Sequence, residues 1–457
     1  MRQTVEHEVK LEAPDGFELP DLGGEPLEPR VFTSVYYDTP ARSLARAGIT
    51  LRRRTERGRS LWQLKIPVDG ARVELEEPGG PAGPPEGLRT LIRAHERQAA
   101  VTPVAELRTR RHGTLVHRDE STAEVTIDEV SIMDAQRVDG RFVEIEIELK
   151  DGEPRALVRI AEELERSGAR EGDGLPKVFR VLELDTERKK PKTSFDALRA
   201  RLREQLDAIL ANDPGTRLGS DPESLHDMRV AVRRSRALLR AGRDLVATDT
   251  QMLRLELQWL GSVLGDVRDL DVLLARLHAE AAELDPEDRA AADRLLRGLE
   301  RARGRARRAL LKALDGQRYA NLLDRFESTL EALESTQSDV SLKKLAGREL
   351  KKLGRDVDAA GDDPADETLH ALRKRGKRAR YAAELAGEKT VVARAKVFQD
   401  VLGEHQDSVV AEERLRALAH EAPQDQAVAA GLLIARERAS RERARRSWRK
   451  AWRALSS

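Results

Sequence analysis

The chain has 457 residues and no cysteine. That excludes disulfides, thiolate nucleophiles and cysteine-ligated zinc. Aromatic residues make up only 3%, which argues against aromatic-rich cores and against base-stacking platforms for single-stranded nucleic acid. No apolar run approaches the ~20 residues of a membrane span, and no signal peptide precedes the charged N-terminus. A soluble, cytoplasmic protein without a membrane partner is therefore expected. Net charge is nearly absent as well, with Lys+Arg 82 against Asp+Glu 81. Any binding of a polyanion must come from local clusters of charge.

Charge itself is abundant, at 36% of residues, and the chain is too long for one ordinary core, so two or three domains are expected. To about residue 185 the sequence reads as short alternating strands: Val5–Leu11, Ile49–Arg54, Leu61–Ile66, Ala71–Glu76, Val104–Arg110, Ala123–Val130 and Arg141–Leu149. Breaks such as "EEPGGPAGPPEG" separate them, one helix fits Leu157–Ser167, and the pattern suggests an antiparallel sheet or barrel. A charged linker carrying Pro191 covers 186–195. From 196 to 457 the residues are rich in Ala, Leu, Arg and Glu with helical periodicity, so an all-α domain follows.

The helical part repeats itself. "ESLHDMRVAVRRSRALLRAG" (223–242) matches "ETLHALRKRGKRARYAAELA" (367–386) at an offset of 144, and "VLGDVRDLDVL" (from Val263) matches "VLGEHQDSVVA" (from Val401) at 138. Two ordered matches predict a duplicated helical bundle with pseudo-two-fold symmetry, its repeats at about 196–330 and 340–457.

In the strand region, charges fall on one face by parity. Glu6, Glu8 and Lys10 share a face in "VEHEVK". Arg52 with Arg54, Gln63 with Lys65, Arg72 with Glu74 and Glu76, Arg108 with Arg110, Glu124 with Asp128, and Glu144 with Glu146 and Glu148 do the same. Acids gather on the first and last strands and bases on the middle ones. Carboxylates in a row repel unless a cation sits among them, Mg²⁺ works through carboxylates and substrate phosphates, and Arg and Lys bind phosphate oxygens. A barrel with this face inward would bind a metal–polyphosphate complex, whereas the same face turned outward would be a solvated surface.

"EHEVK" resembles the E-x-E-x-K signature of the CYTH family, the triphosphate tunnel metalloenzymes, and "YYDT", "LRRR", "LWQLK", "LRTRR", "AEVTID", "VEIEIEL" and Lys177 follow in the family's order over residues 1–185. The resemblance implies an eight-stranded antiparallel β-barrel, or tunnel, with flanking helices that hydrolyses linear triphosphate with Mg²⁺ or Mn²⁺. It implies metal ligation by Glu6, Glu8, Glu144 and Glu146, and catalytic roles for Glu6, Glu8, Lys10 and Asp128, the last holding the attacking water with Glu124 or Glu148. Phosphate oxygens would be held by Lys10, Arg52, Arg54, Lys65, Arg108, Arg110 and Lys177. Two positions depart from a simple transfer. Pro176 precedes Lys177 where the family has serine, and a bulge would exchange Arg110 for Arg111 on the inward face.

In the helical repeats, Arg229, Arg233, Arg236 and Arg240 follow His226 in a stripe about 80° wide on a helical wheel. His370, Arg373, Lys377 and Arg380 form the matching stripe, with Lys374 beside it and Gly376 in mid-helix. Asp-Pro at 221–222 and at 363–364 offers each helix a start. A basic stripe is often a solvated face, but one short of local acids also suits a linear polyanion. Acids from other helices, Asp266, Asp269, Asp271 and Asp407, could partner it. "LHDMRVAVRRSR" and "LHALRKRGKRARY" resemble the CHAD domain, the conserved-histidine α-helical domain, over about 196–457. That resemblance implies polyphosphate binding by these histidines and bases.

The reading is an inorganic triphosphatase joined to a polyphosphate-binding module, with triphosphate and long-chain polyphosphate as partners and a place near polyphosphate granules. The rival activities are a nucleoside or thiamine triphosphatase, an adenylate cyclase, and a non-catalytic protein that binds polyphosphate or nucleic acid.

Overall fold

A computed structural model describes every residue except 15, 69–70, 119, 136, 173, 183–190, 337–340 and 457. Most of the predicted linker lies outside the described residues. The chain divides into two compact units, Met1–Arg188 with Leu210–Ser224, and Lys189–Ile209 with Leu225–Ser457.

The first unit is a single antiparallel sheet: β1 (Arg2–Glu6), β2 (Glu8–Glu12), β3 (Glu25–Pro26), β4 (Arg30–Asp38), β5 (Thr50–Glu56), β6 (Arg59–Val68), β7 (Ala71–Pro78), β8 (Thr102–Arg118), β9 (Ser121–Asp134), β10 (Arg137–Asp151) and β11 (Arg170–Glu171). Eleven strands stand where eight are expected, because the N-terminal strand is divided at His7 and β3 and β11 are two-residue pairings. The division has a consequence. The strand order is β1-β7-β6-β5-β4-β8-β9-β10-β2-β11, so β1 and β2, joined through His7, lie toward opposite ends of the sheet. The chain itself draws those ends together.

Alternation decides which face is inside. On β10, Ile145 and Ile147 are fully buried under the helix Arg155–Arg166, where they pack with Leu11, Val125, Leu157, Ile160 and Leu164. Glu144, Glu146 and Glu148 must then point the other way, into the curl of the sheet. A second apolar cluster, centred on Trp62, Leu64, Leu75 and Leu88, backs β5, β6 and β7. The core therefore lies outside the sheet, and the charged face lines a cavity within it.

The second unit is helical. The principal helices lying wholly or in part within it are α1 (Ser194–Leu218), α2 (Pro222–Ala241), α3 (Gln251–Ala282), α4 (Pro286–Asp315), α5 (Gln317–Glu331), α6 (Leu342–Ala359), α7 (Asp366–Leu385), α8 (Lys389–Ala419) and α9 (Gln424–Ser456). The duplication is visible in the elements: α2 and α7 are both 20 residues long and begin and end 144 residues apart, while α3 and α8 begin 138 apart. Asp221 starts α2 as predicted, accepting from the backbone N–H groups of Glu223 (2.9 Å) and Ser224 (3.2 Å). Asp363-Pro364 does not start α7. Arg445 takes Asp363 (2.5 Å) and the Pro364 carbonyl (2.7 Å), and the helix opens at Asp366. Gly376 is buried in α7, where a Cβ would lie 3.1 Å from the Phe398 ring. A helical glycine costs about 1 kcal/mol relative to alanine, which the close approach of α8 offsets.

Candidate active site and basic helical surface

The cavity of the first unit is lined from both ends of the charge scale. Glu6, Glu8, Lys10, Arg30, Tyr36, Arg52, Arg54, Gln63, Lys65, Arg72, Arg111, Glu146, Lys150 and Lys177 all face it. Strand register sets the neighbours: Lys10 stands opposite Glu146, Glu8 opposite Glu148, Glu144 opposite Asp128, and Arg111 opposite Asp128.

A buried carboxylate persists as an anion only when paired. Asp128, with no exposed surface, accepts a fork from Arg111 (2.7 and 2.6 Å), and Lys177 Nζ lies 2.9 Å away. Burial pushes its carboxyl up, but Lys177 and Arg111 outweigh that and hold it below the usual value. Glu146 bonds to Lys10, Lys177 (2.6 Å) and Arg111, which overcome its desolvation and hold it well below the ordinary carboxylate range. For Glu144 burial wins and the pKa rises despite Lys177 and Lys10; its Oε2 is buried without a hydrogen-bond partner. Glu8, 3.4 Å from Lys10, is lowered: Lys10 and more distant bases overcome its burial. Glu6 is bonded to Lys65, with Glu74 close by, and burial pushes it up to about 6.

The other wall is cationic. Arg52 donates to Gln63 Oε1 (2.7 Å) and to the Tyr36 hydroxyl (3.2 Å). Arg54 lies 3.7 Å over the Phe32 ring and pairs with Glu56. Of the predicted phosphate ligands, Lys10, Arg52, Arg54, Lys65 and Lys177 face the cavity. Lys177 follows Pro176 into a 3-10 turn whose position lets the ammonium reach three carboxylates. Arg108 and Arg110 do not face it. Odd residues of β8 share the face of Arg30, Phe32 and Tyr36, so Leu107 and Thr109 are buried, Arg111 points inward, and Arg110 reaches solvent beside Glu129 at 3.6 Å.

The expected four-glutamate metal set is also redistributed. Register across the break at His7 pairs Glu6 with Arg72 on β7, while Glu8 stays on the β10 side. The carboxylates brought together are Asp128, Glu144 and Glu146, each offering an oxygen within 4.8 Å of the others. An all-oxygen donor set with an orphaned buried oxygen suits a hard divalent cation. Arg30, which donates to Glu124 (2.8 Å), and Lys150, which pairs with Glu148 (2.6 Å), are cavity residues the sequence reading did not single out. The alternation in "RVFTSVYYD" and the continuation of the 144-146-148 parity to 150 carry the signal for both.

In the second unit, α2 and α7 bring the two basic stripes to one surface. Arg233, Arg236, Arg240, Lys374 and Lys377 line a hollow with Arg254, Arg378 and Tyr381. Arg233 donates to the Tyr381 hydroxyl at 2.6 Å. The duplication extends to partners: Arg229 pairs with Asp269 (2.8 Å), and Arg373 feels the matching Asp407. Gly265 and Gly403, at matching positions, lie beside those guanidiniums, a Cβ at either falling 3.7 Å from the arginine, an ordinary contact distance. Asp271 pairs instead with Arg303. Arg380 is near Glu384 (3.5 Å) and, like His226, His370, Arg229 and Arg373, does not line the hollow. The Nδ1 of His370 is buried without a partner. Lys377 is exceptional: burial, then Arg373, Arg233, Arg229 and Arg380, push its ammonium down to about 7.

The CYTH domain family matches residues 4–179 and the CHAD domain family residues 200–416. The chain is a CYTH–CHAD protein. An uncharacterized protein of Mycobacterium tuberculosis, found in strains CDC 1551 / Oshkosh and H37Rv, is 32% identical over 458 residues, covering 92% of this CYTH–CHAD chain and 89% of its own length. Among solved structures, PptA from Streptomyces chartreusis is 25% identical with a TM-score of 0.50, over 57% of this chain and all of that one. The CHAD domain from the plant Ricinus communis is 27% identical with a TM-score of 0.49, over 60% and 95%. CYTH domains belong to the superfamily of tunnel enzymes that includes triphosphatases and cyclases, and CHAD domains are associated with polyphosphate. Among the described residues no helix is long and apolar enough to cross a membrane.

Proposed function

We propose that the CYTH cavity hydrolyses inorganic triphosphate to phosphate and diphosphate with Mg²⁺ or Mn²⁺, and that the CHAD unit binds long-chain polyphosphate, in the cytoplasm and at polyphosphate granules. The observation that carries the first part is the cavity itself. A carboxylate trio, the buried Asp128 and Glu144 with the partly buried Glu146, stands at a cavity that Glu146 lines together with Arg52, Arg54, Lys65 and Arg111.

Phosphoryl transfer asks mainly for positioning and charge neutralisation. Glu144, Glu146 and Asp128 would hold the cation, with Glu8 at the edge of the group. When bound, it neutralises phosphate oxygens and lowers the repulsion facing an attacking water. Lys10 and Lys177, which the same carboxylates engage in the structure, would turn to phosphate oxygens as the substrate enters. Arg52, Arg54, Lys65 and Arg111 would hold the remaining oxygens in line. A water oxygen bonds to the terminal phosphorus, the P–O bond to the bridging oxygen breaks, and diphosphate departs. The water's proton passes to a cavity carboxylate. Asp128, whose oxygens Arg111 and Lys177 engage in the structure, would hold the cation as Lys177 turns to phosphate, while its contact with Arg111 orients that guanidinium. Glu6, pushed up to about 6, is better matched to accept a proton near neutral pH.

Nucleotide or thiamine substrates would call for an aromatic surface. Tyr36 is the aromatic residue among those lining the cavity, and its hydroxyl is engaged by Arg52. Phosphate release from triphosphate, ATP, thiamine triphosphate and long-chain polyphosphate, each with and without EDTA, tests the reading. Metal-dependent release from triphosphate well above that from ATP supports it, and preference for a nucleotide would replace it.

A further inference from the structure

The basic surface of the CHAD unit does not end at the hollow between its two stripes. A second hollow is lined by Arg240, Arg243, Arg348, Lys352, Arg375 and Arg378 together with two acids, Glu349 and Asp244, the latter 3.4 Å from Arg243, and with Ala237, Ala241, Leu345 and Ala382. Arg240 and Arg378 line both hollows, so the two adjoin. Lys352 has Glu349 at 2.6 Å and Arg375 has Asp356 at 2.6 Å. Arg240, Arg348 and Arg378 make no ion pair among the described residues. Burial, then Arg240 and Arg375, disfavour the charge of Arg378, and the nearby Glu349 and Asp356 offset this only in part.

The duplication supplies an internal control. At an offset of 144, Ala346, Leu350 and Leu353 of α6 correspond to Leu202, Leu206 and Ile209 of α1, which take the same inward-facing positions. At that offset Arg348 corresponds to Glu204, Lys352 to Ala208 and Arg375 to Ala231. Where Arg378 meets Arg240, the duplicate places Arg234 beside Glu384, 3.4 Å apart. The same helix packing therefore stands with an ion pair and without this concentration of bases. Packing does not require them, and like charges gathered on an exposed face cost stability unless an anion offsets them.

We infer that this second hollow is an anion-binding site that takes the onward stretch of a linear polyphosphate whose first stretch lies on the stripes of α2 and α7. The inference rests on the polyphosphate reading above. No aromatic residue lines the second hollow, so it offers phosphate contacts without a stacking surface for bases. Chain length then becomes the discriminating variable. A short oligophosphate fits the first hollow alone, whereas a long chain engages both.

The test uses the full-length protein with size-fractionated sodium polyphosphates, one short and one long, titrated across a salt series. In Arg348→Gln/Lys352→Gln, long-chain affinity should fall about tenfold and the slope of log affinity against log salt should flatten by roughly two, one per lost contact. Short-chain affinity should not change. Arg348 is exposed and Lys352 half-buried; circular dichroism checks the fold, and Arg243→Gln, made alone, gives an independent reading. Arg233→Ala/Lys377→Ala should weaken both lengths. If that pair does so while Arg348→Gln/Lys352→Gln leaves long-chain affinity and salt slope intact, or weakens both lengths equally, the second hollow is overturned and the polyphosphate reading stands. Failure of the wild-type protein to bind either length overturns both.

Discussion

Arg111 and Arg110 are neighbours in sequence with opposite fates, and exchanging each for alanine tests the inside-out sheet. Arg111 is one-eighth exposed and forks onto Asp128, which has no exposed surface, while also meeting Glu146. Removing one partner of a buried charge network costs 3–5 kcal/mol as a rule. Lys177 remains 2.9 Å from Asp128, so the lower end, about 3 kcal/mol, is expected for Arg111→Ala. Arg110 is two-thirds exposed and 3.6 Å from Glu129, itself nearly half-exposed, a surface pair worth under ~1 kcal/mol. At roughly 2–4 °C per kcal/mol for a unit of this size, calorimetry on the full chain should show the CYTH transition of Arg111→Ala about 6–12 °C low. Arg110→Ala should fall within about 4 °C of wild type. Triphosphate hydrolysis should be lost in the first and kept in the second. Equal effects, or a larger effect at Arg110, would refute the parity assignment and with it the position of Arg111 in the cavity.

Other expectations follow from the same geometry. Hydrolysis should fall as pH drops through about 6, because Glu6 must be ionised to accept a proton and burial raises its pKa; a pH–rate profile of Glu6→Gln should lack that limb. Lys377 is held near 7 by burial and by Arg373, Arg233, Arg229 and Arg380, with Asp407 the acid that also senses it. A bound polyanion would reverse that repulsion, so binding at pH 8 should take up a proton, seen by calorimetry in buffers of different ionisation enthalpy, and Lys377→Met should abolish the uptake. Gly376→Val should destabilise the CHAD unit by about 2 kcal/mol, since the fully buried Phe398 ring leaves no room for the added methyl groups; an unchanged melting temperature would contradict that packing.

Much of this was legible from residue order alone, because period-2 and 3.6-residue patterns report faces directly. The strand parity of Glu144, Glu146 and Glu148 needed no tertiary information, and the 144-residue repeat marked both ends of α2 and α7. Three things were not legible. The interruption at His7 depends on the sheet curling until one strand serves both of its ends, a long-range event that separates Glu6 from Glu8. The parity of β8 depends on its pairing with β4, which sets Arg111 opposite Arg30; β8 taken alone favours Arg108 and Arg110 and leaves the exchange of Arg110 for Arg111 open. The second basic hollow is assembled from α2, α6 and α7, and no single helix carries enough of it to stand out.

The central claim is that the cavity turns over triphosphate through its carboxylates and a divalent cation. It is tested most directly by phosphate release from inorganic triphosphate with Mg²⁺ or Mn²⁺, by the wild-type protein and by Glu146→Gln. The account predicts release by the wild type that EDTA abolishes and Glu146→Gln lacks. No release by the wild type with either metal, or undiminished release by Glu146→Gln, would contradict it.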